Sequence, residues 1–300
     1  MIDDNGSHDG SGKLNGNAPE ILTGPERGKT MHITVLSDNN GTEALAGEWG
    51  LSILIEEKGL RFLLDAGSSD LCIKNARLLG LDLGSVDAAV LSHAHYDHAD
   101  GFVPLLRAYP GLRVYVRGCA GANCYAVKEA GMEYIGVDPA LTVELEDRLI
   151  RAEGDYPLAE GVWLIPHKCP DRERIGRREK MFLRRGDALV PDDFSHEQSL
   201  VFETEKGLVV FNSCSHAGAA EIVGEVCRTF PGQRVYAYIG GFHLYRKTPE
   251  EVREFARGLE AAGVKKLCTG HCTGEAAFAI LKERLGESIT QFRTGLEMDI

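Results

Sequence analysis

The segment Leu91-Ser92-His93-Ala94-His95-Tyr96-Asp97-His98-Ala99-Asp100-Gly101 places three histidines and one aspartate within six residues. The run before it, residues 87–91, is short and apolar, which predicts a buried strand. In residues 101–109 the apolar side chains recur at helical spacing, which predicts a helix. The histidine cluster is therefore expected on a turn between the end of a strand and the start of a helix.

The spacing within this cluster predicts metal binding. Alternate residues of an extended segment point the same way, so His93 and His95 can reach one ion together. Asp97 and His98 lie where the chain turns into the helix and would point toward a second ion. Imidazole suits zinc, copper, iron or nickel, and a carboxylate also accepts harder ions. Four side chains cannot complete two metal sites, so further ligands must come from downstream. The alternative, surface histidines beside a helix-capping aspartate, is disfavoured by three histidines at this spacing.

The pattern His-x-His-x-Asp-His after an apolar strand resembles the metal-binding motif of the metallo-β-lactamase superfamily. The segments 62–67 and 269–272 fit the same resemblance, which covers most of the chain after Met31. The segments 212–218 and 239–244 resemble the subgroup that contains the archaeal dihydropterin ribofuranosyl-aminobenzene phosphate synthase. The resemblance implies the α/β fold class and a four-layer αββα sandwich.

Composition narrows the class of protein. The chain has 300 residues, of which 43% are hydrophobic and 26% charged, and its formal net charge is -12. This acidic balance disfavours nucleic acids and anionic membranes as partners. No apolar run is long enough to span a bilayer, the first residues are polar, and the eight cysteines are scattered. We therefore expect a cytoplasmic protein with free thiols; the small anionic molecule expected as its partner is what the subgroup resemblance implies. Oligomeric state is left open.

Three regions are expected along the chain. Residues 1–30 are rich in Gly, Asn, Asp and Ser and predict a disordered leader. Residues 31–300 form the metallo-β-lactamase-like domain, and residues 119–195, where the pattern is less regular, are expected to be a lid or insertion. Within that segment lies a basic cluster: Arg172, Arg174, Arg177, Arg178, Lys180, Arg184 and Arg185. A solvated face is the favoured interpretation of this cluster, and a lid that offers guanidinium groups to an anionic substrate is the alternative.

Two apolar hairpins of similar length, residues 51–65 and 199–212, form a weak internal repeat that fits the two halves of the sandwich. His216, His243 and His271 each follow the end of a predicted strand. Ligands gather at the carboxyl ends of strands in layered α/β folds, so these histidines are expected at one site.

The ligand assignment combines this placement with the resemblance. The expected metal ligands are His93, His95, Asp97, His98, His216 and His271, of which His271 matches the final histidine of the superfamily. Cys214 occupies the position where most relatives carry a bridging aspartate. It is either a thiolate ligand or a buried thiol beside the metals, and the second interpretation is favoured.

Three further residues complete the expected site. His196 lies near the position of a third histidine in relatives and is a runner-up ligand. Asp65 either orients a ligand histidine or caps a turn. His243 is a ligand, a general acid or a substrate contact, with a core histidine as the alternative.

Two divalent ions are expected as cofactors. Zinc is favoured, because oxygen-reducing diiron relatives carry glutamate where this chain has His95, with Mn²⁺ or Fe²⁺ as the alternatives. Asp97 would bind one ion and orient the attacking water or take its proton. The leading hypothesis is a metal-dependent hydrolase of a small anionic, phosphorylated or pterin-like substrate, with Asp97 and His243 as catalytic residues. The alternatives are a synthase-like transferase, a nucleic-acid phosphodiesterase and a non-catalytic metal-binding sensor.

Overall fold

The computed structural model describes residues 21–24, 30–121 and 123–300. Most of the predicted leader, residues 1–20 and 25–29, lies outside this range. Within the leader, Leu22 forms a parallel bridge with Ala159, and its backbone N–H donates to the Leu158 carbonyl at 3.1 Å.

The elements follow one another along the chain with short connections. The strands are β1 (His32–Ser37), β2 (Ser52–Glu57), β3 (Leu60–Leu64), β4 (Ala88–Val90), β5 (Val114–Arg117), β6 (Cys124–Lys128), β7 (Gly131–Tyr134), β8 (Leu149–Ala152), β9 (Tyr156–Ala159), β10 (Val162–Pro166), β11 (Met181–Arg185), β12 (Ala188–Pro191), β13 (Gln198–Thr204), β14 (Gly207–Phe211), β15 (Val235–Ile239), β16 (Lys266–Thr269), β17 (Ile289–Gln291) and β18 (Glu297–Asp299). The α-helices are α1 (Leu71–Leu78), α2 (Tyr96–Ala99), α3 (Phe102–Ala108), α4 (Pro139–Val143), α5 (Glu173–Glu179), α6 (Ala219–Thr229), α7 (Pro249–Ala262) and α8 (Glu275–Leu285).

Two seven-stranded sheets dominate the described part of the chain. Their strand orders are β18-β1-β2-β3-β4-β5-β8 and β17-β16-β15-β14-β13-β10-β9. Each sheet contains one of the two predicted hairpins, β2–β3 and β13–β14, followed by parallel strands. The internal repeat is therefore matched by the topology: each hairpin leads into a parallel block whose carboxyl ends lie on one edge.

The two sheets pack face to face, and helices cover their outer faces. In β3, Phe62 and Leu64 belong to the core between the sheets, whereas Leu63 belongs to the core that the helices share. This alternation is the period of two expected for a strand buried on both faces. Phe62 meets Phe202 of the facing sheet with ring centroids 5.4 Å apart. The α/β fold class and the four-layer αββα sandwich predicted from the sequence are confirmed.

Residues 119–195 contain more regular structure than their sequence pattern indicates. β8 joins the first main sheet, and β9 and β10 join the second. The remaining strands form a separate four-stranded sheet in the order β12-β11-β6-β7, here called the small sheet. The basic cluster lies around α5 and β11. No helix in the described ranges has the length and apolarity needed to cross a membrane.

Candidate metal centre

Three histidine rings meet where β4 and β14 end. The rings of His93 and His95 have centroids 4.5 Å apart, and the His216 ring lies 5.1 Å from the first and 5.2 Å from the second. One ligand atom from each side chain lies within 4.8 Å of the other two. All three residues are buried. The structure thus brings together one predicted ligand from the second half of the chain with two from the first; we call this set the three-histidine group.

A second group of predicted ligands adjoins the first. The Nε2 atoms of His98 and His271 are 3.1 Å apart, and Asp97 Oδ2 lies 3.4 Å from the Nε2 atom of His271. Burial opposes ionisation of Asp97, but the neighbouring His98 and His271 outweigh it and hold the pKa of its carboxyl below the ordinary value. The charged carboxylate is the form that binds a cation.

Asp65 fixes the orientation of the His98 ring. Its Oδ2 atom lies 2.7 Å from His98 Nδ1 and accepts a hydrogen bond from the Ser92 hydroxyl, and its Oδ1 atom accepts one from the Ser92 backbone N–H. A proton on Nδ1 that is donated to Asp65 leaves the Nε2 lone pair directed at His271. Of the two interpretations of Asp65, the one in which it orients a ligand histidine agrees with these contacts.

Asp38 and Asn39 hold His271 in a similar way, and neither residue was predicted to belong to the site. The Oδ1 atom of Asn39 lies 3.0 Å from His271 Nδ1, and Asp38 Oδ1 accepts a hydrogen bond from the His271 backbone N–H at 2.8 Å. Their place in the chain could have identified them, because both follow the end of β1, as the other polar site residues follow the ends of strands.

Behind His216 lies a buried charge network. Glu197 Oε1 accepts a hydrogen bond from the His216 backbone N–H at 3.2 Å and lies 2.9 Å from His167 Nε2. The other His167 nitrogen lies 2.9 Å from Glu225 Oε2. Burial disfavours a charged His167, yet the two carboxylates outweigh it and raise the pKa of this imidazole to about 9. His167 was not among the residues predicted from the sequence to belong to the site.

The donor atoms of the site fit divalent ions. Among the described residues, the buried Nε2 atoms of His93 and His95 and both ring nitrogens of His216 have no hydrogen-bond partner. Each such orphaned group costs about 1–3 kcal/mol unless something binds it. Burial and neighbouring imidazoles lower the pKa of all three rings, that of His95 to about 3, so they stay neutral and can ligate.

The spacing in the second group also suits a metal. Imidazole nitrogens about 2.0–2.1 Å from a tetrahedral zinc ion lie about 3.3–3.4 Å from each other. The 3.1 Å between the Nε2 atoms of His98 and His271 is close to that spacing. The residues present could therefore hold two divalent ions, one at each group.

Two cysteine sulfurs lie against these groups. Cys214 Sγ is 3.2 Å from His98 Nε2 and 3.4 Å from Cys272 Sγ. Ligand atoms of His93 and His98, and separately those of His271 and Cys272, lie within 4.8 Å of the Cys214 sulfur. Cys214 is thus placed centrally in the site, and Cys272 is a site residue that the sequence analysis did not single out.

His196 lies beside the predicted ligand His95, with ring centroids 5.5 Å apart, and ligand atoms of these two residues, Cys124 and Asp192 lie within 4.8 Å of one another. The Nδ1 atom of His196 accepts a hydrogen bond from the Ala94 backbone N–H at 3.1 Å, and its Nε2 atom lies 3.1 Å from Asp192 Oδ2. Both ring nitrogens already have protein partners, so His196 supports the turn that carries His95 and has no free lone pair for an ion.

His243 faces the cavity beside the three-histidine group. Its ring centroid lies 4.4 Å from that of His216, and its Nδ1 atom has no hydrogen-bond partner among the described residues. Its Nε2 atom lies 3.6 Å from Glu179 Oε2 of α5. This placement agrees with the predicted substrate-facing role more closely than with a core histidine.

Several site residues have strained backbones. Asp65, Ser215, His243 and His271 have φ values of +59°, +54°, +50° and +47°, in the left-handed region. Such a conformation costs on the order of 1–3 kcal/mol for a residue other than glycine, and it persists only where surrounding contacts enforce it. The turns after β3, β14, β15 and β16 are thus shaped to direct side chains into the site.

A cavity of about 300 Å³ opens above the candidate ligands. It is lined by Trp49, His95, Tyr96, Asp97, Ala126, Val127, Lys128, Ile135, Glu179, Met181, Cys214, His216, His243, Tyr245, Arg246, Lys247 and Cys272. The Trp49 ring lies 5.1 Å from the His271 ring and 5.4 Å from the Tyr245 ring, so an aromatic wall adjoins the second ligand group.

The basic cluster does not face this cavity. Among the described lining residues, the segment 171–185 contributes only Glu179 and Met181. Arg177 pairs with Glu173, and the Arg178 guanidinium donates to the His216 carbonyl. The cations that line the cavity are instead Lys128, Arg246 and Lys247. Of the basic cluster, Arg178 lines a smaller neighbouring pocket with His216 and His243.

Comparisons with known proteins agree with the fold and motif. The family model of the metallo-beta-lactamase superfamily matches residues 50–192. The 7,8-dihydropterin-6-methyl-4-(beta-D-ribofuranosyl)-aminobenzene-5'-phosphate synthase of Methanocaldococcus jannaschii is 29% identical over 261 residues, which cover 82% of this chain and 88% of that protein.

Solved structures extend the similarity to the whole domain. Tm1679, described as a metal-dependent hydrolase of the beta-lactamase superfamily, is 30% identical with a TM-score of 0.74, over 90% of this chain and 99% of that one. YhfI from Bacillus subtilis, a metallo-beta-lactamase fold protein, is 16% identical with a TM-score of 0.54, over 91% of this chain and 100% of that one, and shows the fold alone. With 30% identity over the whole length of one member and the superfamily motif at residues 93–98, this chain belongs to the metallo-beta-lactamase superfamily.

Proposed function

We propose that this protein is a dinuclear metal-dependent hydrolase that acts on a small anionic substrate with an aromatic part. One observation carries the proposal: six predicted ligands from two separate halves of the chain converge in two adjoining groups at the floor of one cavity. Three of their imidazoles have buried nitrogens with no partner among the described residues. Without a bound metal, these buried nitrogens would destabilise the folded protein, because each lacks a hydrogen-bond partner that would replace water.

In this proposal His93, His95 and His216 hold one ion, and Asp97, His98 and His271 hold the other. Divalent ions bound there would lower the pKa of coordinated water and polarise the bond under attack. Asp97, buried and ionised, accepts the proton of the attacking water. His243, with a free Nδ1 atom at the cavity, supplies a proton to the leaving group.

The cavity wall supports the substrate class. Trp49 and Tyr245 present aromatic faces, and such faces stack on flat ring systems. Lys128, Arg246 and Lys247 line the cavity; Lys128 pairs with Glu133 and Lys247 with Glu179, while Arg246 lies over the Tyr245 ring. Arg246 is thus the cation best placed to attract an anionic group such as phosphate or carboxylate. Since the remainder of the protein is acidic, this local charge favours a small anion over a long polyanion.

A second candidate is a synthase-like transferase. The observation that favours it is the 29% identity to the dihydropterin synthase over 88% of that protein. The same cavity, with aromatic walls and a cationic rim, would accept a pterin-like ring and a phosphorylated sugar. The metals would then activate a leaving group for transfer to an acceptor other than water.

The test combines metal analysis with activity. Purified protein is analysed for bound metals and assayed with phosphodiester, phosphomonoester, lactone and thioester substrates, in the wild type, in His95→Ala and in His32→Ala. His32 pairs with Asp299 at the protein surface, far from the motif in the fold, and serves as the matched histidine control.

We expect two equivalents of a divalent ion, zinc being favoured, and turnover of one substrate class that His95→Ala abolishes and His32→Ala preserves. Two tightly bound ions without any hydrolysis would transfer support to the transferase candidate, with pterin and phosphoribosyl substrates as the next assay. Absence of bound metal after reconstitution would contradict both candidates.

A further inference from the structure

We propose that Cys214 and Cys272 are a pair of sulfur ligands, with Cys214 between the two ions and Cys272 on the side of His271. This inference rests on the proposed function, since it concerns the same metals. It adds two donors to a site otherwise made of histidines and one aspartate, and it makes the centre partly thiolate-ligated.

The first support is the direction of the two sulfurs. Cys214 Sγ is 3.2 Å from His98 Nε2, the nitrogen left free when Asp65 binds the other side of that ring. Cys272 Sγ is 3.4 Å from Cys214 Sγ, and the ligand atoms of Cys214, Cys272 and His271 lie within 4.8 Å of one another. Such convergence of sulfur and nitrogen donor atoms is typical of a metal site.

The second support is the surroundings of Cys272. Its sulfur accepts a hydrogen bond from the His243 backbone N–H at 3.3 Å, which stabilises negative charge on sulfur. A Cβ atom at Gly241 would lie 2.5 Å from this sulfur, so the glycine leaves the space that Cys272 occupies. Both cysteines also line the cavity, although each is almost fully buried.

The alternative is that both cysteines are ordinary core residues, for which Cys268 provides the comparison. Cys268, four residues before Cys272, is fully buried in β16 and packs in the apolar core between the sheets. Cys214 and Cys272 belong to neither of the two apolar core clusters, and their sulfurs meet each other, a ring nitrogen and a backbone N–H. A packing role gives no reason for that difference.

On binding, each thiol would release its proton to solvent, and no oxidation is required. Thiolates favour zinc, iron or copper(I) over manganese and magnesium. The inference therefore sharpens the metal preference of the proposed enzyme toward zinc or iron and away from Mn²⁺.

The test uses Co²⁺ as a spectroscopic probe. Reduced full-length protein freed of metal is loaded with Co²⁺, and the near-ultraviolet thiolate-to-cobalt charge-transfer band is recorded for the wild type, Cys214→Ser, Cys272→Ser and Cys268→Ser. Circular dichroism verifies folding of each variant. In parallel, alkylation of the wild-type cysteines with and without Co²⁺ is mapped by mass spectrometry.

We expect the wild type to show the band, Cys214→Ser to lose about two thirds of its intensity, Cys272→Ser to lose about one third, and Cys268→Ser to keep all of it, because the shared Cys214 sulfur makes two of the three sulfur–cobalt bonds. Co²⁺ should protect Cys214 and Cys272 from alkylation. An undiminished band in Cys272→Ser, or equal alkylation of Cys272 with and without Co²⁺, would overturn the inference while two bound Co²⁺ ions kept the proposed function intact. Failure of the wild type to bind any Co²⁺ would overturn both.

Discussion

The two halves of the sandwich supply the candidate metal centre in different ways. In the first half, one turn after β4 carries His93, His95, Asp97 and His98 within six residues. In the second half, His216 and His271 come one at a time, from turns after β14 and β16 that are more than fifty residues apart. The ligands of the first half are therefore close together because they are neighbours in sequence. Those of the second half are brought together by the pairing of the strands that precede them.

The supports of the ligands differ in a corresponding way. Asp65 binds the His98 ring itself through Nδ1, so a carboxylate fixes that ligand directly. Glu197 binds the His216 backbone N–H, and its Oε2 atom lies 3.9 Å from the ring, so this carboxylate fixes the turn more than the ring. The contrast therefore lies between His98, whose ring is held by a carboxylate, and His216, whose backbone is held by one; the His271 ring is held by the Asn39 amide oxygen at 3.0 Å.

Among the changes considered, we expect metal removal to have the largest effect on stability, because the proposed ions take ligands from both halves of the sandwich. A ligand at a thousand times its dissociation constant adds about 4.1 kcal/mol of stability, which for a domain of this size is on the order of 10 °C in Tm. We expect a chelator to lower the Tm of the wild type by at least that amount. Calorimetry with and without chelator measures it, and readdition of Zn²⁺ should restore the original Tm. An unchanged Tm would show that the two halves hold together without metal.

The next effect tests whether the halves share ions. His95→Ala and His216→Ala come from different halves but from one three-histidine group, so each should lose the same ion. Loss of a catalytic metal removes several kcal/mol of transition-state stabilisation, which is at least about 10²-fold in kcat. The double variant should be no worse than either single variant, since ligands of one ion act as a unit. Additive losses would instead assign the two histidines to different ions.

A smaller effect separates the two kinds of support. Asp65→Asn keeps the size of the side chain but weakens its hydrogen bond to His98 Nδ1, and loss of such a partner costs about 10–100-fold in metal affinity. Competition with a fluorescent zinc chelator measures the affinity, and Asp299→Asn, at the surface beside His32, is the matched control. If affinity fell equally in both, the direct support of the first half would have no special role.

The smallest effect concerns the charge network of the second half and appears as a pH dependence of stability. The pKa of His167 is raised to about 9 in the folded protein, above the value of about 6.5 for an unperturbed histidine. The stabilisation by the charged imidazole is therefore fully present below about pH 6.5 and is lost as pH rises through about 9. We expect the free energy of unfolding of the wild type to fall across that window by on the order of 1–3 kcal/mol more than that of His167→Gln. The comparison with the variant removes the pH dependence that all other groups contribute to both proteins. Urea unfolding at pH 6.5 and 9 compares the two proteins, and parallel pH profiles would contradict the assignment.

Local signals explain what could be predicted. The apolar runs at 53–55 and 62–64 determine buried strands, because a strand between two layers is apolar on both faces. Thr248 begins α7 with a capping box to Glu251, a local hydrogen-bond pattern visible in the sequence. The close spacing of His93, His95, Asp97 and His98 made the first half of the site visible for the same reason: the chemistry and its geometry lie within one turn.

The small sheet and the polar supports were not predicted. β6 pairs with β11 across about fifty residues and joins two local hairpins into one sheet. Short, partly exposed strands have weak periodicity, so this pairing depends on tertiary contacts. Cys272 looked like any small buried residue, and Asp38 and Asn39 looked like loop residues. Only the folded chain places Asp38 and Asn39 against His271, and the Cys272 sulfur against that of Cys214.

The sequence by itself determined the buried strands and the cluster from His93 to His98, because these depend on periodicity and on close spacing along the chain. The superfamily, the four-layer sandwich and His271 followed from the resemblance that this cluster carries, and His216 from its place after a predicted strand. The tertiary structure decided that His216 completes a group with His93 and His95, that His196 is already satisfied by Ala94 and Asp192, and that two cysteine sulfurs meet in the site. It also decided which cations face the cavity: Lys128, Arg246 and Lys247 do, and the conspicuous basic cluster does not. The physical reason is that contacts within one turn are set by bond geometry, whereas contacts between strand ends are set by the pairing and packing of whole sheets.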